Sequence, residues 1–185
     1  MRARPARRPG SGAAWALLVV ALVWLVDTHH PAGPHPGRAA GGPDVRPPAG
    51  LSFTDAGGCR PAGDYASPRL DRRVRELLER VAARHRVRVS CLRTGHSWFV
   101  RGTRRVSNHA VWRAVDLDMV DGRPVGPANQ AAHQLARWIG QGRAGVQPSE
   151  VGSPWGFGAR PWFTDAGHQD HLHVGFAGPT QGGGR

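Results

Sequence analysis

The chain has 185 residues, which is typical of one domain, and its 25 basic and 13 acidic residues give a net charge of +12. This excess suits an anionic partner such as nucleic acid, a membrane surface or a cell-wall polymer, but charge alone does not choose among them. The wide spacing of the only two cysteines, Cys59 and Cys91, excludes a CxxC metal site.

The first 26 residues combine a basic start with a short apolar run. Four arginines and no acidic residue precede 14 consecutive apolar residues, 13–26. This pattern is typical of an export signal, and 14 residues fall short of the roughly 20 that a spanning helix needs. No small-x-small cleavage site directly follows Val26, so residues 1–26 are predicted to be an export signal or an uncleaved membrane anchor. A buried core helix is the alternative, which the flanking Arg and Pro residues disfavour.

Residues 27–50 contain six prolines, five glycines and no aromatic residue. Such a segment buries too little apolar surface to fold, so it is predicted to be a disordered tether. The folded domain is predicted to span 51–178, followed by a flexible tail at 179–185. Behind an export signal, the even cysteine count predicts a disulfide between Cys59 and Cys91, with two buried free thiols as the alternative.

Hydrophobic spacing predicts the elements of the domain. In chain order they are a helix, two strands, a second helix and a last strand, at 67–85, 86–92, 113–120, 127–139 and 171–176. Each strand alternates between an apolar face and a polar face. The segment 140–164, between the second helix and the last strand, is predicted to be a loop. This order predicts an α+β fold with a small antiparallel sheet and flanking helices.

Two of the predicted strands carry metal-type ligands on their polar faces. If both lie in one sheet, Asp116 and His173 can converge, and His109 precedes Asp116 by seven residues. Two histidines and one aspartate are a ligand set that zinc commonly takes in catalytic sites, where the fourth position is left for water. Asp118 shares a face with Asp116 and is an alternative ligand, although the spacing favours Asp116. The remaining alternative is a set of hydrogen-bonded polar residues at a sheet edge.

The segment SNHAVWRAVD, 107–116, resembles the SxHxxGxAxD motif of the D-Ala-D-Ala carboxypeptidase-like zinc metallopeptidases. That group includes the lysostaphin-type enzymes and the Hedgehog signalling domain. DHLH, 170–173, is similar to the group's second motif, and the resemblance covers roughly 87–176. It implies a Hedgehog-like or peptidase-like fold in which His109, Asp116 and His173 bind Zn²⁺.

The same resemblance implies roles for further residues. Asp170 would be the general base and His171 a second-shell or transition-state group. Arg93 is similar to the family's substrate-binding arginine, and Ser107 matches the serine of the motif. The glycine of the motif is Trp112 here, so either the backbone does not need glycine at this position or Trp112 shapes a different substrate pocket.

The function implied by the resemblance is that of an exported zinc metallopeptidase. It would hydrolyse D-amino-acid-containing bonds in peptidoglycan stem peptides or cross-links, as a D,D- or L,D-carboxypeptidase or an endopeptidase. We expect a monomer that acts outside the cytoplasm, secreted or membrane-anchored. The alternative is a catalytically inactive, zinc-containing binding module at the cell envelope. Nucleic acid is not an expected partner, because no recognised binding motif accompanies the arginines.

Overall fold

The computed structural model describes residues 45–178. Three predicted segments lie outside the described residues: the export segment at 1–26, most of the tether at 27–44 and the tail at 179–185. The last six residues of the predicted tether, 45–50, are described. They adjoin the domain: Val45 packs against the hydrophobic core, and the backbone N–H of Leu51 donates to the carbonyl of Pro48.

A seven-stranded mixed sheet forms the centre of the domain. Its strands, in chain order, are β1 (Leu51–Phe53), β2 (Val87–Cys91), β3 (Ala114–Val120), β4 (Arg123–Pro124), β5 (Glu150–Gly152), β6 (Trp162–Phe163) and β7 (Leu172–Gly175). The strand order is β1-β2-β3-β7-β5-β6, and β4 pairs with the far end of β3. β3 and β7 therefore lie side by side at the centre of the sheet.

The predicted α+β class is confirmed, but the predicted small antiparallel sheet is only partly correct. The pairs β2–β3, β3–β7 and β7–β5 are antiparallel, whereas β1–β2 and β5–β6 are parallel. The added strands β1, β4, β5 and β6 are two or three residues long. Such short strands give almost no alternation to detect, which is why 140–164 was wrongly predicted to be a loop.

Within residues 45–178, three α-helices accompany the sheet: α1 (Pro61–Ala66), α2 (Arg72–Ala82) and α3 (Gln130–Gly140). The helix predicted at 67–85 begins later, because Asp71 caps α2 by accepting from the backbone N–H of Arg73. Asn129 caps α3 in the same way, by accepting from the backbone N–H of Ala132. This helix therefore begins at Gln130 and not at the predicted residue 127.

One hydrophobic core joins the helices to one face of the sheet. The fully buried residues include four of α2 and two each of β3 and β7: Val74, Leu77, Leu78, Val81, Val115, Leu117, Leu172 and Val174. The opposite face of β3 and β7 carries Asp116 and His173. Core packing on one face thus leaves the polar face available for a site.

The predicted disulfide between Cys59 and Cys91 is confirmed. It ties the loop before α1 to the last residue of β2. The loop after β2 is fixed by the buried carboxylate of Asp64, which accepts from the backbone N–H groups of Arg93 and Thr94 and from the Thr94 hydroxyl. Among residues 45–178, no helix has the length and apolarity needed to cross a membrane.

Replacing both cysteines by serine should lower the free energy of unfolding by about 3–4 kcal/mol, because the bridge closes a loop of about 33 residues in the unfolded chain. Urea unfolding of both proteins in the presence of a chelator measures this difference without a contribution from bound metal. An unchanged free energy of unfolding would contradict the expected role of the bridge.

Candidate metal centre

Three ligand-type atoms meet on the polar face of the sheet. Nε2 of His109 lies 3.1 Å from Oδ1 of Asp116 and 3.1 Å from Nδ1 of His173, and the last two atoms are 3.0 Å apart. All three residues are buried. The structure therefore brings together the three residues predicted to be metal ligands, which form a compact triangle.

The pairing of β3 with β7 places two corners of the triangle. Asp116 is directly opposite His173 in the antiparallel ladder, so their side chains share one face. The neighbouring pairs, Val115 with Val174 and Leu117 with Leu172, are fully buried and project to the other face. Packing of these apolar pairs fixes the register that brings the two polar groups together.

A tight turn before β3 places the third corner. His109 begins a 3-10 turn, His109–Val111, and its backbone N–H donates to Oγ of Ser107. Trp112 ends the turn in the left-handed conformation, with φ 65°, and its N–H donates to the carbonyl of His109. Glycine adopts this conformation most easily, so the backbone here has the geometry that the motif's glycine favours, and tryptophan adopts it instead.

The outer nitrogen of each histidine has an acceptor of its own. Nδ1 of His109 contacts the carbonyl of Leu92, and Nε2 of His173 lies 3.2 Å from Oε1 of Glu150. A carbonyl or carboxylate oxygen accepts a hydrogen bond, so these outer nitrogens donate, and the inner nitrogens present lone pairs whenever the rings are neutral. Together with the carboxylate of Asp116, three acceptors face one another, and a cation between them relieves their repulsion.

The electrostatics of the triangle agree with this requirement for positive charge. Burial alone would raise the pKa of Asp116, but His109 and His173 hold it well below its usual range. Burial would lower the pKa of His173, yet its contacts with Asp116 and Glu150 raise it to about 9. In the absence of a metal, the proton on His173 supplies the charge, so metal binding at neutral pH releases that proton.

Cys91 also lies near the triangle. Its sulfur is within 4.8 Å of ligand atoms of His109 and Asp116, and the three residues form a buried group that could hold a metal ion. The sulfur is, however, bonded to Cys59, and a metal takes a thiolate rather than a disulfide sulfur. His173 is therefore the better third ligand while the disulfide is intact.

Glu150 is a component of this site that the sequence analysis missed. Besides His173, its carboxylate accepts from Nδ2 of Asn108 at 2.6 Å and from Nη1 of Arg105 at 3.1 Å. Burial would raise its pKa, but the contacts with His173, Asn108 and Arg105 lower it to about 2. Gly175 makes room for it, since a Cβ there would lie 2.6 Å from Oε1 of Glu150. No sequence motif marks Glu150, because β5 is only three residues long.

The triangle lies in a cleft of about 800 Å³, a size typical of ligand sites. His96 and His168, also not predicted, line it with His171. The ring of His96 stacks on that of His109, with centroids 4.0 Å apart, and the pKa values of His96 and His168 are lowered, chiefly by burial. The repeated histidines at 168, 171 and 173 were a sequence signal for this cluster.

His171 faces the triangle and Asp170 supports it. Nε2 of His171 lies 3.9 Å from Oδ1 of Asp116, and its Nδ1 lies 2.8 Å from Oδ1 of Asp170. The Asp170 side chain is 88% exposed. Both residues precede β7, so His171 lies just outside the strand in which it was predicted. Among the described residues, the side chains that line the cleft include His171 but not Asp170.

The other predicted site residues are divided between the cleft and its surroundings. Ser107 lines the cleft, whereas Arg93 and Trp112 are not among the described residues that line it. The Trp112 ring instead lies under the guanidinium of Arg69, 5.1 Å from ring centroid to Cζ. The alternative ligand Asp118 is paired with Arg88 through two hydrogen bonds of 2.9 and 2.7 Å.

Comparison of the chain with family models, with curated proteins and with solved structures finds no match.

Glu150→Gln should weaken Zn²⁺ binding by about 10–100-fold, because the neutral amide orients His173 less firmly and makes it a poorer ligand. Competition with a chromophoric chelator measures the dissociation constant. Glu79→Gln, at an exposed position on α2, is the matched control. Equal thermal unfolding of the metal-free proteins would establish that the fold is kept, and an unchanged dissociation constant for Glu150→Gln would then contradict the assigned role.

Proposed function

We propose that the protein is an exported, zinc-dependent peptidase with a fold like that of the D-Ala-D-Ala peptidases and the Hedgehog domain. Its substrate would be peptidoglycan, at D-amino-acid-containing bonds of stem peptides or cross-links. One observation carries the proposal: lone-pair atoms of His109, Asp116 and His173 lie within 3.1 Å of one another in an open cleft, with His171 beside them.

Zinc suits this triangle by chemistry and by size. Two imidazoles and one carboxylate are a common catalytic zinc set, and ligands of a tetrahedral zinc at 2.0–2.1 Å are about 3.3 Å apart. The distances of 3.0–3.1 Å between the three atoms are close to that value. Three protein ligands would leave one position open toward the cleft.

The proposed reaction is hydrolysis of an amide. Zinc, when bound, lowers the pKa of water and polarises the substrate carbonyl. His171 then moves the protons: its Nδ1–H donates to Asp170, so its Nε2 can accept a proton from the attacking water. Oxygen bonds to the carbonyl carbon, the C–N bond breaks, and the same nitrogen returns the proton to the leaving amine.

In this proposal His171 takes the role of base that the resemblance gave to Asp170. His171 lines the cleft, whereas Asp170 is largely exposed and contacts the site through the His171 ring. Asp170 would therefore be a positioning residue that fixes the tautomer of His171, as the third member of a catalytic triad does.

The proposed location and substrate rest on the sequence. Residues 1–26 have the pattern of an export signal or anchor, and outside the cytoplasm the chain meets the cell wall. Residues 51–185 carry 19 arginines and 11 acidic residues, so electrostatic attraction to anionic wall polymers is favourable. We propose a monomer without nucleic acid as a partner.

His171→Ala should lower turnover of a soluble D-amino-acid-containing muropeptide by about 10²–10⁴-fold, the usual contribution of a positioned base. Asp170→Asn should lower turnover less, because it disturbs only the orientation of His171. Both variants should keep full zinc content, since neither residue is a proposed ligand. Mass analysis of the products and metal analysis of each variant measure these quantities.

Arg93→Ala is informative in the same assay, because the resemblance implies a substrate contact while the structure places this residue outside the cleft lining. We expect near-wild-type turnover. If Asp170→Asn loses more activity than His171→Ala, the order of the two roles is reversed. If the zinc-loaded wild type cleaves no wall peptide, the peptidase proposal fails and a zinc-containing binding module takes its place.

A further inference from the structure

One hairpin beside the cleft carries an unusual combination of side chains. Within the part of the chain that the structure describes, the exposed large apolar residues are Trp98, Phe99 and Val106, at 52%, 50% and 38% exposure. All three belong to the segment 98–107. Exposed apolar groups gathered in one place are typical of an interaction site rather than of ordinary surface.

The hairpin is held together by its own backbone. Phe99 and Val106 form a bridge, the N–H of Val100 donates to the carbonyl of Arg105, and the N–H of Ser107 donates to the carbonyl of Trp98. The Thr103 hydroxyl donates to the carbonyl of Val100 at the tip. These hydrogen bonds keep the hairpin in shape while its apolar side chains stay in solvent.

The same hairpin is positively charged. It contains Arg101, Arg104 and Arg105 and no acidic residue. Arg105 pairs with Glu150, but the guanidinium groups of Arg101 and Arg104 have no ion pair or hydrogen bond within residues 45–178. Two free cations next to two exposed rings favour a partner that has both negative charge and flat apolar surfaces.

The hairpin is continuous with the metal cleft. Phe99, Arg101 and Arg105 line the cleft, whereas Trp98 lies next to them outside it. A partner that contacts both parts must enter the concave cleft and also extend beyond it. A flat membrane surface does not meet this condition, and a long flexible polymer does.

We propose that this hairpin binds a peptidoglycan strand and directs it to the metal cleft, an inference that rests on the proposed function. The sugar rings would stack on Trp98 and Phe99, and stem-peptide carboxylates would pair with Arg101 and Arg104. Two free arginines match the widely spaced carboxylates of such a strand. They match the phosphates of single-stranded nucleic acid less well, because a phosphate follows every nucleotide there.

Binding of the full-length protein to insoluble peptidoglycan, with a chelator present to prevent turnover, tests this inference. The double variant Trp98→Ala/Arg101→Ala should bind about tenfold more weakly than wild type, because a ring and a free cation together are typical binding hot spots. Neither side chain has a partner within the described residues, so the hairpin should keep its shape. Arg123→Ala, exposed on β4, is the charge-matched control and should bind as wild type does.

Parallel measurements with anionic lipid vesicles and with single-stranded DNA separate the other classes of partner. Equal binding of wild type and double variant to peptidoglycan would overturn the inference, as would a loss confined to vesicles or to DNA. Turnover of a soluble muropeptide by wild type is measured alongside. If turnover is absent but peptidoglycan binding depends on the hairpin, the proposed peptidase activity fails and the binding inference stands. If turnover is present but peptidoglycan binding does not depend on the hairpin, only the binding inference fails.

Discussion

The organisation of the site depends on one constraint, the close contact of three ligand-type atoms on the polar face of the sheet. The register of β3 with β7 sets two of them opposite each other, and apolar pairs on the other face hold that register. A slip of β7 by one residue along β3 would turn His173 into the core, away from Asp116, and bury a polar group without its partners. Folding of the hydrophobic core and assembly of the candidate metal centre are therefore the same event.

The surroundings of the triangle hold it ready for a cation. The carbonyl of Leu92 and the carboxylate of Glu150 fix the two histidine rings, so their inner nitrogens point toward one place and present lone pairs there once the rings are neutral. Leu92 follows Cys91 directly, and the disulfide anchors this end of β2. Glu150 in turn connects His173, a proposed ligand, to Arg105 of the proposed binding hairpin. The proposed metal site and the proposed polymer site thus share one half-buried carboxylate.

Much of this site was predictable from the sequence, because alternation in β3 and β7 assigns their faces. Asp116 and His173 were found in this way, whereas His109 was found from its position seven residues before Asp116 and from the motif resemblance. The disulfide followed from the cysteine count and the export signal. Glu150 could not be found, since a three-residue strand has too little periodicity and its partners are distant in sequence. The backbone at Trp112 was also not predictable, because tryptophan seldom adopts the left-handed conformation that the turn requires.

X-ray absorption at the zinc edge of the oxidised, full-length protein distinguishes the proposed ligands from a site that includes sulfur. We expect one zinc per chain with nitrogen and oxygen ligands at about 2.0–2.1 Å and no sulfur at about 2.3 Å, because His109, Asp116 and His173 are the proposed ligands and Cys91 stays in its disulfide. His173→Ala should lose the metal. A sulfur ligand in the spectrum, or a protein that binds no zinc, would contradict the account.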